Sequence, residues 1–421
     1  MTAGTQPEVT AISFLGTGNY QETEYVYRGR GCRTRLFPAA LLRLCPEVRT
    51  LRVLVTEQAR QKWADELTAA IDQLRDPKQD WFLVPIPDGK SEDELWTLFD
   101  TLVTQVEEGD AVMLDITHGF RSLPLIAAVA TAYLRVAKGV RLHGLLYGAY
   151  EARDADGRAP VFDLTPLVVL LDWMAAADLF RRTGNAEPLA GLLEETQNTL
   201  HRSQRGAAGL PTRLKSAAGA LRDFSRALRL LRVREAMARA VDVQQVLASG
   251  AVTAESERWA KPFPALLDQA RRVAQPLALT NPSADPAREL AAQREAIRWY
   301  QEKGWHVEAV LLAREWLISL QAHRAGRDLI GDRAAVEEAI ETAARRRRAG
   351  TTEAGRAAVA PLDAAAVDPE IAEVWNWLHD LRNDLAHCGM RPNPRPADRV
   401  RQAVAELVQR LAEVWREANG A

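Results

Sequence analysis

Two short segments of the chain carry side chains suited to binding or cleaving a phosphate. In the first, 115–121 (DITHGFR), a hydroxyl at Thr117, a ring nitrogen at His118 and a fixed positive charge at Arg121 follow an apolar run. In the second, 382–387 (RNDLAH), an arginine stands five positions before a histidine. Each segment combines a cation with a group that exchanges protons near neutral pH, and phosphate-ester chemistry uses both.

The first segment is predicted to be a ligand-binding loop of an α/β sheet. It joins an apolar strand, Ala111–Asp115, to a helical pattern, Phe120–Val136, and the unpaired N–H groups at the start of a helix attract anions. Asp115 itself is interpreted as structural, because a carboxylate repels phosphate.

A second loop, 16–20 (GTGNY), follows the strand Val9–Leu15, and its glycines let a ligand approach the backbone. Gln21 stands where the third glycine of a dinucleotide fingerprint belongs, so that class of site is not predicted. Ligands of open α/β sheets bind beyond the carboxyl ends of the strands, so the two loops together predict a site for a phosphate-bearing ligand. The alternative is that the glycines form a plain turn and that His118 is a buried, hydrogen-bonded histidine.

The second segment has a pattern that suits RNA cleavage without a metal. Of the seven histidines, only His387 follows an arginine, Arg382, with four to six residues between them. Arginine stabilises the charge of a phosphorane, histidine protonates a leaving oxygen, and the 2′-hydroxyl of RNA is the internal nucleophile. Five positions span about 140° on an ideal helix, so the two side chains meet only if the helix loosens or a second copy completes the site. The structural alternative is that Arg382 pairs with Asp380 or Asp384 and His387 caps the helix.

The elements around these segments predict an α/β region followed by an all-α region. Up to about residue 164, β-rich runs alternate with helical patterns, which indicates a mostly parallel, doubly wound sheet. From Pro166 onward, helical patterns replace strands, and the proline-rich run 281–286 (NPSADP) marks a boundary. Long helices are expected at Ala287–Lys303, His306–Arg324, Asp368–Ala386 and Ala397–Ala418, with a softer stretch at 325–367.

Composition limits the class of protein. The net charge is −2, which excludes a chain-wide basic field but leaves room for a local basic patch such as Arg345–Arg348, a candidate for phosphate contact or a solvated loop. Three cysteines without metal-ligand spacing predict neither a disulfide framework nor a zinc site. The N-terminus lacks a signal-peptide pattern and the longest apolar run, Leu125–Leu134, is too short for a bilayer, so we expect a cytoplasmic protein with no membrane partner.

The two halves resemble one family. The run 115–119 (DITHG) is similar to the D-x-T-H-G signature of CRISPR-associated proteins with a CARF sensor domain, and 163–166 (DLTP) also looks like that group. The run 382–387 is similar to the HEPN nuclease motif. The resemblance implies a Rossmann-like CARF domain at 1–165, a helical connector at 166–286 and a HEPN domain at 287–421.

The resemblance also implies an activity and its residues. Such a protein is a homodimer of a type III CRISPR system that cleaves single-stranded RNA, without a metal or cofactor, when a cyclic oligoadenylate (most often the tetramer) binds its CARF domains. The product end is a 2′,3′-cyclic phosphate. Arg382 and His387 are then catalytic and Asn383 supports them. The residues expected at the messenger are Thr17, Gly18, Asn19, Thr117, His118, Gly119 and Arg121.

Two other functions stay open. The chain could bind the messenger as a regulatory or interaction module without cutting RNA. Alternatively, its CARF domain could also degrade the messenger, with help from His118 or Arg121. The tryptophans Trp305, Trp316, Trp375 and Trp377 are predicted to be core or interface residues, because they occur at helical spacing.

Overall fold

The structure is a computed structural model that describes residues 8–119, 123–349 and 366–418. The chain separates into two compact units, 1–172 and 173–421. The first unit combines strands with helices, and the second consists of helices in its described residues. The predicted fold class, an α/β domain with a mostly parallel sheet plus an all-α part, is therefore confirmed.

The first unit is built on an eight-stranded sheet with strand order β3-β2-β8-β7-β6-β1-β4-β5. Five neighbouring strands, β7, β6, β1, β4 and β5, run parallel, whereas β7–β8 and β2–β3 pair antiparallel. The strands are β1 (Val9–Leu15), β2 (Thr23–Tyr27), β3 (Arg30–Thr34), β4 (Val48–Val55), β5 (Asp80–Pro85), β6 (Ala111–Asp115), β7 (Arg141–Gly148) and β8 (Arg158–Asp163).

Helices cover both faces of this sheet, which explains why its central strands are apolar along their whole length. Along β1, Ala11 and Leu15 belong to one core cluster, and Ile12 and Phe14 to the other. The helices of the unit are α1 (Phe37–Leu44), α2 (Glu57–Leu74), α3 (Glu92–Thr104) and α4 (Leu123–Ala137). Thr56 caps α2, and its side chain accepts a hydrogen bond from the backbone N–H of Ala59.

Helix α1 is absent from the sequence-based prediction. It occupies eight residues between β3 and β4, and seven of the eight are buried. A short, uniformly apolar segment has no polar face to reveal helical periodicity, and a buried strand has the same appearance. The backbone N–H of Phe37, its first residue, donates a hydrogen bond to the predicted ligand loop, which gives this helix a part in the site.

The second unit consists of helices in its described residues. They are α5 (Thr165–Thr183), which starts in the first unit, α6 (Glu187–Ser203), α7 (Leu214–Arg229), α8 (Val233–Leu247), α9 (Gly250–Trp259), α10 (Pro264–Ala274), α11 (Pro286–Glu302), α12 (His306–Arg324), α13 (Arg333–Ala349), α14 (Pro369–Ala386) and α15 (Ala397–Ala418). The division of this unit into a connector and a nuclease domain at residue 286 stays a prediction.

Two expectations for this unit need correction. The softer stretch at 325–367 contains a 17-residue helix, α13. The basic run Arg345–Arg348 therefore lies at the C-terminal end of a helix rather than in a loop. At this end the helix dipole favours positive charge. Two of its guanidinium groups form ion pairs, Arg345 with Glu341 and Arg347 with Glu373.

Over the described ranges, no helix has the length and apolarity needed to cross a membrane.

Candidate functional site

The two predicted ligand loops lie side by side at the point where the strand order reverses. Strand β1 sits between β6 and β4, and the chain builds the sheet outward in opposite directions from β1 and β6. This is the position at which open α/β sheets bind ligands. The loops approach so closely that a Cβ on Gly16 would lie 3.1 Å from the carbonyl oxygen of His118, so a side chain at this position would push the loops apart.

Asp115 anchors the loop after β6 from inside the sheet. Its carboxylate is fully buried, and it accepts hydrogen bonds from the hydroxyl of Ser13 on β1 and from the backbone N–H of Thr117 at 2.8 Å. Burial raises the pKa of this carboxyl to about 6, although both hydrogen bonds oppose the shift. The position of Asp115 agrees with the structural role inferred from the sequence.

Thr117 and His118 connect the same loop to other elements. The hydroxyl of Thr117 accepts a hydrogen bond of 2.8 Å from the backbone N–H of Gly148, at the end of β7. The Nε2 atom of His118 accepts one of 3.0 Å from the backbone N–H of Phe37, in the first turn of α1. Burial lowers the pKa of His118 to about 4, so the imidazole is neutral at physiological pH. It is a buried, hydrogen-bonded histidine that also lines the cleft, and a ligand role for it stays a prediction.

The cleft beside these loops has a volume of about 210 Å³ and a wall rich in tyrosine. The ring of Tyr20 lies 3.8 Å from that of His118, and the guanidinium of Arg153 lies 3.6 Å from the ring centre of Tyr150. Aromatic faces and phenol hydroxyls of this kind suit the stacking and hydrogen bonding of nucleobases. The lining residues are Asn19, Tyr20, Gln21, Tyr25, Thr117, His118, Tyr147, Gly148, Tyr150 and Glu151.

Three of the predicted messenger contacts, Asn19, Thr117 and His118, therefore line the cleft. Thr17 and Gly18 lie next to Asn19 on the exposed loop after β1, but not among the lining residues. Gly119 follows His118, and a Cβ there would lie 3.3 Å from the Cβ of Leu123, the first residue of α4. Arg121 lies outside the described residues.

Lys62, on α2, contacts the loop after β1, which the sequence analysis did not predict. Its ammonium group donates hydrogen bonds to the carbonyl oxygens of Thr17 (2.9 Å) and Gly18 (3.3 Å) and to the side-chain oxygen of Asn19 (2.8 Å). These three bonds hold the loop after β1 and place a positive charge at its tip. A lysine on an amphipathic helix more than 40 residues from the loop gives no local signal of this role.

The second candidate site is on α14. Arg382 lines a small cleft of about 90 Å³ together with Arg314, Glu341, Trp375, Leu378 and His379. Its Nη1 donates a long hydrogen bond of 3.4 Å to the side-chain oxygen of Asn383, and its Nε is buried without a partner in the described structure. The alternative pairing of Arg382 with Asp380 or Asp384 is not found among the described ion pairs, in which Asp380 pairs with His379 and Asp384 with Arg391.

His387 closes α14 and lies in a different environment from Arg382. It is the C-cap residue, exposed to solvent, and its backbone N–H donates to the carbonyl oxygen of Asn383 at 3.0 Å. The following residues, Cys388 and Gly389, have positive φ values of 51° and 71°, which end the helix. The described contacts do not bring the side chains of Arg382 and His387 together within one chain.

His379 is the group that the structure does bring close to Arg382, and the sequence analysis overlooked it. The side-chain nitrogen of Asn383 lies 3.3 Å from both ring nitrogens of His379. Residues separated by three or four positions share a helix face, so this spacing was readable in the sequence. The predicted motif places the arginine before the histidine, whereas His379 precedes Arg382. Over the described ranges, no cluster of histidine, cysteine and carboxylate side chains could hold a metal ion.

Comparison with known proteins relates the predicted connector to a described family. Residues 169–274 match the family described as the second domain of CRISPR-associated protein MJ1674. CRISPR-associated protein MJ1674 of Methanocaldococcus jannaschii is 38% identical over 109 residues, which are 25% of this chain and only 17% of that protein.

Among solved structures, Enterococcus italicus Csm6 bound to cyclic hexa-2′-fluoro-hexa-dAMP aligns over 98% of this chain and 94% of that chain, with a TM-score of 0.45 and 11% identity. A likeness this distant supports no conclusion about the site or the activity. The match over residues 169–274 thus relates the chain to CRISPR-associated proteins, and it confirms the predicted resemblance to that class.

Proposed function

We propose that the chain is a ribonuclease of type III CRISPR defence that cleaves single-stranded RNA without a metal when a cyclic oligoadenylate binds its α/β unit. The observation that carries the proposal is the environment of Arg382. The guanidinium of Arg382 lines a cleft and lacks a carboxylate partner in the described structure. In the sequence, Arg382 stands five positions before the exposed His387. An unpaired, partly buried cation costs free energy unless an anion binds to it, and RNA supplies one at every phosphate.

The messenger is assigned to the tyrosine-lined cleft at the strand ends. Adenine rings would stack on the tyrosines, and the carboxylate of Glu151 can accept a hydrogen bond from an adenine amino group. Lys62 supplies positive charge at the adjoining loop, where the phosphates would lie. A neutral His118 contributes hydrogen bonding and shape rather than charge.

The cleavage step conserves atoms and charge without a cofactor. The 2′-oxygen of the ribose attacks the adjacent phosphorus as its proton passes to a water molecule, and the bond from phosphorus to the 5′-oxygen breaks. His387, in its protonated form, gives a proton to that leaving oxygen, while Arg382 stabilises the extra negative charge on the phosphorane. The products carry a 2′,3′-cyclic phosphate and a 5′-hydroxyl group.

Homodimerisation is part of the proposal, because Arg382 and His387 do not meet within one chain. Helix α4 supports it, since it presents an apolar face to solvent in its own unit. Leu125, Val129, Tyr133 and Val136 lie on this face, and each is at least half exposed. Exposed apolar faces of this kind mark protein–protein contacts, and we assign this one to the α4 helix of a second copy.

One alternative has an observation in its favour. The separation of Arg382 from His387 is also what a messenger-binding regulatory module without nuclease activity would show.

Degradation of the messenger by the α/β unit gains no support from His118, because its Nε2 already accepts a hydrogen bond from Phe37.

The test is cleavage of a fluorescent single-stranded RNA in the presence of EDTA, with and without cyclic oligoadenylate. The proposal predicts cleavage that needs the messenger and that Arg382→Ala and His387→Ala each abolish, in proteins with unchanged melting temperatures. Messenger-stimulated cleavage that survives both substitutions would contradict the assignment of these residues.

A further inference from the structure

Two clefts adjoin each other along helix α11 of the helical unit. The first lies between α11 and α15 and has a volume of about 400 Å³. The second lies between α10 and α11 and has a volume of about 410 Å³. Both volumes are in the range of small-ligand sites, about 300–1,000 Å³. Glu295 and Arg298 line both clefts, and neither cleft shares a lining residue with the cleft of Arg382.

The α11–α15 cleft is lined by more positive than negative charge. Arg294, Arg298 and Arg416 line it together with one acidic residue, Glu295. The carboxylate of Glu295 lies 2.5 Å from the guanidinium of Arg298 but 3.9 Å from that of Arg294, so it mainly neutralises Arg298. Burial lowers the pKa of Arg294, and the charges of Arg298 and Arg416 lower it further against the effect of Glu295. A guanidinium keeps its proton in a protein, so an anion that enters the cleft relieves this repulsion.

The rest of the α11–α15 cleft is apolar and suits a flat ring. The apolar lining residues are Ile297, Val408, Leu411, Ala412 and Trp415. The guanidinium of Arg294 lies 5.4 Å from the ring centre of Trp415, so a cation and an aromatic ring occur together in the wall. Nucleobases stack on tryptophan rings and on guanidinium planes, and their phosphates bind the charges.

The α10–α11 cleft repeats this combination of residues. Trp299 lines it together with Arg272 and Arg298. Its acidic residue that the other cleft lacks, Glu302, lies 3.6 Å from Arg298. Arg272 is exposed, and within the described part of the chain neither Arg272 nor Arg416 has a carboxylate partner. Each cleft therefore combines a tryptophan with a guanidinium that is available to an anion.

We propose that the two clefts form a binding track for single-stranded RNA. Bases stack against Trp299 and Trp415. Phosphates contact Arg272, Arg294 and Arg416. The alternation of aromatic and cationic groups over two adjoining clefts matches the alternation of bases and phosphates along a strand, and such grooves bind single strands with little sequence preference. The inference rests on the proposed ribonuclease function and gives the substrate a place of contact beyond the cleft on α14.

The test measures binding of a short 2′-O-methyl oligouridine by fluorescence anisotropy in EDTA, between about 50 and 200 mM salt. This RNA has no 2′-hydroxyl to react, so its binding is measured whether or not the chain cleaves RNA. Arg294→Gln combined with Arg416→Gln should weaken binding about tenfold and reduce the salt slope of log Kd by about 1.4, or about 0.7 for each lost charge. Arg272→Gln, at an exposed residue, should reduce the slope by about 0.7 and keeps the test decisive if the double variant fails to fold.

The matched control is Arg288→Gln combined with Arg401→Gln. These exposed arginines belong to α11 and α15 but line neither cleft, so the charge change equals that of the first double variant. The control should bind the RNA within about twofold of the wild type.

Cleavage kinetics give a second readout. The double variant of Arg294 and Arg416 should raise KM about tenfold and leave kcat within about twofold, because the track binds substrate and transition state alike. Loss of folded protein would instead lower kcat and leave KM unchanged.

Three results would overturn the inference while the ribonuclease assignment stands. The first is wild-type affinity and salt slope in both cleft variants, and the second is an equal loss of binding in the control. The third is inorganic polyphosphate that competes as well as RNA of the same charge, because it would leave no role for stacked bases. RNA that binds through the clefts and is never cleaved would instead overturn the proposed function and leave the track in place.

Discussion

Replacing Asp115 by asparagine should change how the stability of the α/β unit depends on pH. The carboxyl is fully buried, and its pKa is raised from the ordinary value of 3.8 to about 6. Between these two values the unfolded chain has already lost a proton that the folded chain retains. Stability therefore decreases as the pH rises through this window, by about 3 kcal/mol in total for this one group.

Asparagine has nearly the same shape and has no charge to bury. Its amide oxygen can accept from the backbone N–H of Thr117, and its NH₂ group can donate to the hydroxyl of Ser13, so both partners of the carboxylate keep a hydrogen bond. We expect the free energy of unfolding of Asp115→Asn, relative to the wild type, to increase by about 2.4 kcal/mol between pH 4 and pH 7, because the unfolded carboxyl is already more than half deprotonated at pH 4.

The assay is urea unfolding of the whole chain. At each urea concentration, pulsed hydrogen exchange and mass spectrometry of peptides from β1 and β6 measure the fraction of the α/β unit that is unfolded. These peptides report on the α/β unit alone, so unfolding of the helical unit does not interfere. Parallel pH profiles for the two proteins would refute the reasoning, because they would mean that Asp115 is not desolvated in the folded state.

Three further predictions concern the loop, the exposed face and the cleft. Lys62→Met should weaken messenger binding about tenfold by calorimetry, because the loop after β1 loses three hydrogen bonds, whereas Lys78→Met in the turn before β5 should not. Tyr133→Glu should convert the proposed dimer to a monomer in light scattering, because it places a charge on the apolar face of α4; a wild-type protein that is already monomeric would contradict this assignment. Gly148→Ala should destabilise the protein by about 1–3 kcal/mol, because its Cβ would lie 2.8 Å from an aromatic carbon. Gly191→Ala, where a Cβ meets open space, should not lower the melting temperature, and equal losses in both variants would contradict the argument.

Most of the α/β fold was predictable because its strands and helices are long and differ in period. Strands β1 and β6 have the predicted ends, Val9–Leu15 and Ala111–Asp115, because each is an apolar run that stops at a loop. Helix α1 was not predictable, because a segment buried on all sides has no amphipathic pattern. Helix α13 was missed for the opposite reason: an alanine- and arginine-rich segment has few large apolar residues to reveal its period.

The candidate site was predictable where one loop or helix carries the chemistry. The sequence located the loops after β1 and β6 and the arginine of α14, because glycine, histidine and arginine are distinctive at the ends of elements. It did not reveal Lys62, which reaches its partners only through the fold. Nor did it predict that His118 would be neutral, since that state follows from burial and from the N–H of Phe37 on the overlooked helix α1.

The central claim is that messenger binding and RNA cleavage are two activities of one chain, and one experiment measures both. The protein is incubated separately with cyclic tri-, tetra- and hexa-adenylate in EDTA, and binding and cleavage of a fluorescent single-stranded RNA are measured on the same sample. We predict that one ring size binds and triggers cleavage, and that His387→Ala still binds this ring but does not cleave. Tight binding of a ring by the wild-type protein with no cleavage at any concentration would contradict the claim, and it would identify the chain as a messenger-binding regulator.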